Sequence, residues 1–316
     1  MFDSLVPNVR LLEADDLGIG VHAKAEAGHA SSAPDAPVVT DEHPRVREIV
    51  RLAGIYGGVI LTGPPGTSKS FFAAAAAAML AGDKSRYSFV QFHASYQYED
   101  FMVGYSPTKS GFEEKTGPFL KLVDAATRDP EHTYVLVIDE LSRADVGRVF
   151  GEALTYVERS KRELPFLIAN GREIKVPSNL VILATMNPFD RGVDEVDAAF
   201  ERRFAKVSME PDRLQLLSIL GDSGLEDAVQ HRVAGWFGKV NGLSKTNPAA
   251  AVGHAYFAGI TDESSLADLW DYQLQYVVDR AFRRDRNTGT EVEAAWKRIF
   301  DDATDDGDGA SALAGN

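Results

Sequence analysis

The chain of 316 residues contains no cysteine. That excludes disulfides, thiolate nucleophiles and cysteine-held zinc, and it is compatible with a reducing compartment. Seven histidines are present, but none stands in an HExxH or similar ligand spacing, so a metal held by protein side chains alone is not expected. Positive charge is short: 33 Lys and Arg against 47 Asp and Glu give a formal net charge of −14. The molecule as a whole repels polyanions, and contact with nucleic acid would need a local basic patch or a partner. Long apolar runs are missing too. The longest, residues 71–81, is mostly alanine and falls well short of the ~20 residues that span a bilayer. The start, "MFDSLVPNVRLLEADD", has no basic segment ahead of an apolar core, so it does not read as a secretory signal. A cytoplasmic protein with no membrane contact is expected.

What is present is the composition of a globular protein, 44% hydrophobic and 25% charged. Residues 1–42 read as a short, partly apolar piece followed by a linker rich in Ala, Ser, Pro and acid, and residues 301–316 as an acidic tail without aromatics, expected to be disordered. From His43 to about 211, short β-rich runs at 59–62, 89–93, 134–139, 180–185 and 205–208 alternate with helical stretches at 44–53, 70–80, 118–128, 146–160 and 196–203. That alternation predicts a parallel sheet covered by helices, an α/β core of five strands. Within it, "FLIANGREIKVP" predicts a hairpin at Asn170 and Gly171. Beyond 211 the apolar residues fall at helical spacing, which predicts a second, helical domain over 212–300.

The chemistry starts at "GPPGTSKS", residues 63–70, between the apolar run "GVIL" and an alanine-rich helical run. A loop that leaves a strand and opens a helix aims backbone N–H groups at a phosphate, with the helix terminus adding positive potential. Lys69 would reach the β and γ phosphates, and the Ser70 hydroxyl would take one position on Mg²⁺. Ser68 stands where G-x-x-x-x-G-K-[ST] has its last glycine. It keeps the backbone donor, and its side chain is unfavourable only if the local φ is positive.

Next, "TYVLVIDELSRAD" raises a buried strand that delivers Asp139 and Glu140 to its carboxyl end, where ligands of open α/β sheets collect. Asp139 would hold Mg²⁺ and Glu140 would orient and deprotonate an attacking water. A third strand, in "NLVILATMNPFDRGVDEVDAAFERRF", places Asn187 just past its end, and Arg202 and Arg203 close a helix farther on.

The order of loop, "DE" strand, asparagine strand, "RRF" and helical lid resembles an AAA+ NTPase. With "FHASYQYEDFMVGYSP", "VFGEALTYVE" and "VGHAYFAGI", the chain is similar to the McrB branch, the motor subunit of modification-dependent restriction systems, over about residues 44–283. The resemblance implies an AAA+ P-loop core with sheet order 5-1-4-3-2 and a C-terminal lid. It implies nucleotide contacts, ATP or GTP, at Gly63, Pro64, Pro65, Gly66, Thr67, Ser68, Lys69, Ser70 and Phe71, with Asp190 nearby, and Mg²⁺ at Ser70 and Asp139. Glu140 is then the catalytic base, Asn187 a sensing residue, and Arg202, Arg203 or both act across a subunit interface. A homo-oligomeric ring, a hexamer in the family, would power an McrC-like nuclease subunit, with nucleic acid met through that partner.

"NPFD" departs from the "NTAD" of that branch towards MoxR-type relatives, so a MoxR-like chaperone remodelling a protein partner stays open. So does a nucleotide switch in which Ser68 permits binding but blunts turnover. The basic run "RAFRRDR" reads as a solvated helix end. Tyr96, Tyr98 and Phe101 of "YQYEDF" either pack or line a pore.

Overall fold

A computed structural model of the chain describes residues 43–188 and 198–301. The expected amino-terminal piece and linker, Asp190 and the acidic tail past Asp301 lie outside the described residues.

The ends of the first helix, α1 (Pro44–Tyr56), follow from local chemistry. The His43 side chain accepts from the Arg45 N–H, Pro44 sits in the first turn where no backbone donor is needed, and Gly57 closes the helix at φ 75°. Then come β1 (Gly58–Thr62), α2 (Lys69–Ala81), β2 (Tyr87–Gln91), α3 (Tyr98–Phe101), a hairpin of β3 (Val103–Thr108) and β4 (Gly111–Thr116), α4 (Pro118–Arg128) and β5 (Tyr134–Asp139). After these follow α5 (Val146–Phe150), α6 (Ala153–Tyr156), a short hairpin of β6 (Phe166–Leu167) and β7 (Glu173–Ile174), β8 (Leu180–Met186), α7 (Ala198–Glu201) and β9 (Ala205–Ser208).

Five strands form one parallel sheet in the order β2-β5-β8-β1-β9. Counted among themselves from the other edge they read 5-1-4-3-2, the order the resemblance implied. Helices cover both faces, so the central strands are apolar on both sides; all seven residues of β8 are buried. Successive side chains alternate between two cores. Val59 and Leu61 pack with Val135, Val137 and the alanines of α2 on one side, while Ile60 packs with Leu136, Ile138, Phe119 and Phe150 on the other. Ala73, Ala74, Ala75, Ala76 and Ala77 are all buried, and their small side chains let α2 lie close to the sheet.

Two expectations need correction, and one element is new. The helix expected over 146–160 is broken after Phe150, where Gly151 takes φ 52° and the Tyr98 ring fills the space a Cβ would need, 2.6 Å away. The strand expected at 89–93 lies two residues earlier, because its ladder with β5 pairs Tyr87 with Val135 and Gln91 with Asp139. The β3–β4 hairpin was not expected at all. Its two-residue turn, Lys109 and Ser110, has none of the Asn-Gly chemistry that marks such turns, and its strands are largely exposed. The hairpin expected at Asn170 and Gly171 is present, with Phe166 opposite Ile174 and Gly171 at φ 80°.

The chain then becomes helical: α8 (Arg213–Gly221), α9 (Asp227–Leu243), α10 (Glu263–Leu269), a π-helical turn (Trp270–Leu274), α11 (Gln275–Ala281) and α12 (Arg286–Lys297). These helices share a core of their own around Trp236, Trp270 and Trp296, the last two stacked at 5.1 Å. The segment between α9 and α10 keeps Val252 and Phe257 in that core and meets the 63–70 loop through Gly253 and Ala255.

Candidate nucleotide site

Three neighbouring strands, β1, β8 and β5, end at one edge of the sheet. Thr62 lies opposite Met186 and Ile138 opposite Ala184, so the loop after β1, the acids ending β5 and Asn187 after β8 are brought side by side. This is the carboxyl end of a parallel sheet, where such folds bind their ligands.

The loop is held from below. The Gly63 N–H donates to the Met186 carbonyl at 3.3 Å, and a Cβ on Gly63 would lie 2.2 Å from the Met209 carbonyl oxygen, so only glycine fits. Thr67 is buried and its hydroxyl donates to the Pro64 carbonyl at 2.9 Å. The Lys69 ammonium curls inward and donates to the carbonyls of Gly63 (2.9 Å) and Pro64 (2.7 Å). Pro65 and Gly66 form the crest, with Gly66 at φ 73°. Phe71, 43% exposed, meets the buried Phe72 edge-on at 5.4 Å.

Ser68 has φ 59° and ψ 27°. The condition under which its side chain is unfavourable is therefore met, at about 1–2 kcal/mol relative to glycine. Although Ser68 stands at the N-cap of α2, its hydroxyl makes no capping bond. It faces His254 Nε2 at 3.1 Å instead.

Ser70 ties the acids to the loop, and Thr185, which no motif marks, ties the two acids to each other. Ser70 Oγ donates to Asp139 Oδ1 at 2.5 Å, and Thr185 Oγ1 donates to the same oxygen at 2.6 Å. Thr185 Oγ1 in turn accepts from the Glu140 N–H at 3.2 Å. Glu140 adopts φ 55°, a left-handed conformation rare outside glycine and common at functional sites. Its carboxylate lies 3.4 Å from Arg143 Nε. The signal for Thr185 was available: a hydroxyl in the otherwise apolar strand "LVILATM" must find a partner when buried.

Ser70 and Asp139 are hard oxygen donors, the type Mg²⁺ takes. Among the described residues no cluster of three or more His, Cys, Asp or Glu could cage a metal. The pair therefore fits an ion that completes its shell with phosphate oxygens and water.

The arginines lie elsewhere. Ala205 pairs with Val59 at the start of β1, so Arg202 and Arg203 sit at the opposite edge of the sheet from the loop, a strand of five residues at ~3.3 Å each away. Arg202 is exposed. The Arg203 side chain is 6% exposed, with Nε 3.7 Å from Glu158. Tyr96, Tyr98 and Phe101 pack rather than project: Phe101 is fully buried, Tyr96 stacks on Phe92 at 4.9 Å, and the Tyr98 hydroxyl accepts from the Ala169 N–H.

The stretch "VGHAYF" sits on the loop. The Ala255 N–H donates to the Gly66 carbonyl at 2.8 Å, and Gly253 is pressed so closely against Gly66 that a Cβ would fall 2.1 Å from its carbonyl. His254, 2% exposed, accepts at Nδ1 from the Asp212 N–H at 3.3 Å. Burial pulls the pKa of its ring below the ordinary histidine value, partly opposed by the charge of Asp212.

A strand-loop-helix with an acidic strand and a polar residue on the strand between them, capped by a helical unit, defines a P-loop nucleotide-binding protein of the AAA class. Residues 58–204 match the AAA domain of the dynein-related subfamily. The chain is 34% identical over 241 residues to the Type IV methyl-directed restriction enzyme EcoKMcrB subunit of Escherichia coli (strain K12), covering 71% of this chain and 52% of that protein. It is 29% identical over 188 residues to the Type II restriction enzyme BsuMI component YdiS of Bacillus subtilis (strain 168), covering 46% of this chain and 55% of that one. The chain thus belongs to the AAA+ family on its McrB branch. It spans about half the length of both relatives.

Proposed function

We propose that the chain is a Mg²⁺-dependent nucleoside triphosphatase, hydrolysing ATP or GTP, that assembles into a ring, with six subunits as in its family, and drives an McrC-like nuclease partner in defence against foreign DNA. It works in the cytoplasm and meets DNA through that partner. The observation that carries the reading is the shared oxygen of Asp139, which ties the loop hydroxyl of Ser70 and, through Thr185, the backbone of Glu140 into one unit. Both relatives are parts of restriction enzymes, and nothing in the site favours the chaperone reading.

In this mechanism Lys69 exchanges two loop carbonyls for phosphate oxygens, and backbone N–H groups of residues 66–71 hold the rest of the triphosphate. Ser70 and Asp139 would hold the ion, which would supply positive charge to offset that developing on the phosphates. Glu140 takes a proton from the attacking water, and Asn187 orients that water against the terminal phosphate. An arginine supplies positive charge to a neighbouring copy's site, since the sheet separates it from its own. Of the two, Arg202 is the exposed one, and Arg203 is turned towards Glu158.

Phosphate release with ATP and with GTP, in Mg²⁺, is the test. Glu140→Gln is expected to lower turnover by about a hundredfold or more while leaving nucleotide affinity in place. Undiminished turnover in that variant, or a wild-type chain that binds neither nucleotide, would sink the proposal.

A further inference from the structure

We propose that His254 is a positioning residue for the phosphate loop: carried by the lid, it holds Ser68 in the left-handed turn that glycine would adopt unaided, so the loop keeps its binding shape only while the lid is seated. This rests on reading the loop as a nucleotide site.

The two loop residues with positive φ are Gly66 and Ser68, and the lid grips both. Gly66 receives the Ala255 N–H and is backed by Gly253. Ser68, the one whose side chain opposes its own backbone conformation, meets the His254 ring. The direction of that bond follows from the other nitrogen. Asp212 N–H donates to Nδ1, so in a neutral ring the proton is on Nε2, which donates to Ser68 Oγ. The ring is buried, and its chain neighbours on both sides are fixed to the loop, Gly253 by close contact and Ala255 by a hydrogen bond.

Asp212 makes the clamp a link. Its side chain accepts from Leu214 and Gln215 N–H and so caps α8, the first helix of the lid, while its own N–H holds the ring. A lid that swings away takes His254 with it, and Ser68 is left in an unfavourable turn with an unpaired hydroxyl. A glycine at this position would need no such support. The serine thereby makes nucleotide binding conditional on lid position.

The test is a double-mutant cycle on the full chain, read in two ways: affinity for fluorescent ATP and GTP analogues with Mg²⁺, and melting temperature without nucleotide. His254→Phe keeps a buried aromatic ring but loses both bonds, and should weaken nucleotide binding by about tenfold. His254→Gln, whose amide reaches the Nε2 position, should retain most of it. Ser68→Ala keeps the Cβ and loses the hydroxyl, so it should reproduce the His254→Phe defect. In a Ser68→Gly background, His254→Phe should cost less than about twofold, because the conformational demand is gone. Equal losses in the serine and glycine backgrounds, or a glutamine variant as poor as phenylalanine, would overturn the clamp and leave His254 as packing. Should the wild-type chain bind neither nucleotide, the enzymatic reading fails; the ligand-free melting cycle then decides the clamp, coupling upholding it and additivity sinking it.

Discussion

At the residue scale, the site depends on one hydroxyl that belongs to none of the loop or acid motifs. Thr185 is 2% exposed and joins Asp139 Oδ1 to the Glu140 N–H. Thr185→Val keeps the shape and strand propensity but leaves the half-buried Glu140 N–H without its acceptor and Asp139 with one donor fewer. A loss of about 1–3 kcal/mol in stability is expected, with turnover falling about tenfold or more, while Thr185→Ser stays near the wild type in both. Melting curves and phosphate release measure the two quantities, and a valine variant with unchanged turnover would show that the hydroxyl is not needed to set the acids. Strain gathers at the same place. Ser68 and Glu140, two of the three non-glycine residues with positive φ among those described, flank the position where phosphate and water would meet. Such conformations persist only where the surroundings hold them, and here Thr185 and His254 are the holders.

At the element scale, the segment from Gly253 to Tyr256 joins two units that otherwise have separate cores. Its histidine adds a pH response. Because burial holds the folded-state pKa below the ordinary value of about 6.5, the unfolded chain takes up a proton below that pH which the folded chain resists. That contribution to stability is intact above about 6.5 and is lost as pH falls from there towards the depressed folded value. Melting temperatures of the wild type and of His254→Gln, compared at pH 7.5 and 5.5, should show a larger acid-induced drop in the wild type. Identical drops would mean that the ring titrates alike in both states. The elements also explain the errors of the sequence reading. The sequence predicts one helix over 146–160, but Gly151 yields its space to Tyr98, a contact 53 residues away in sequence that no local pattern reports. The β3–β4 hairpin escaped because it is exposed and polar, and alternation is visible only where one face is buried.

At the scale of the whole molecule, the decisive fact is the length of β1. With the loop at one end and Arg202 beside the other, the arginine role we propose needs a second copy in head-to-tail contact to complete the site. Head-to-tail contacts of this kind close into rings when the rotation allows. Lys69→Ala and Arg202→Ala chains should each be nearly inactive alone. Mixed in equal amounts they should recover about a quarter of wild-type turnover, the fraction of sites in which an intact loop meets an intact arginine by random neighbouring. Absence of recovery would mean that the arginine does not act across an interface.

Much of this was legible in the sequence, and the reason is physical. Residues 63–70, the pair Asp139 and Glu140, and Asn187 are each set by a strand and the turn that ends it, so their order along the chain already encodes the order in which β1, β5 and β8 deliver them. The alternation of apolar runs and helical stretches likewise determined a parallel sheet with helices on both faces. Only the tertiary structure decided that φ at Ser68 is positive, that Thr185 joins two acids, that Arg202 is exposed while Arg203 is turned inward, and that a histidine 186 residues along the chain rests on the loop. Those are properties of packing between distant segments, where burial fixes partners that spacing along the chain cannot record.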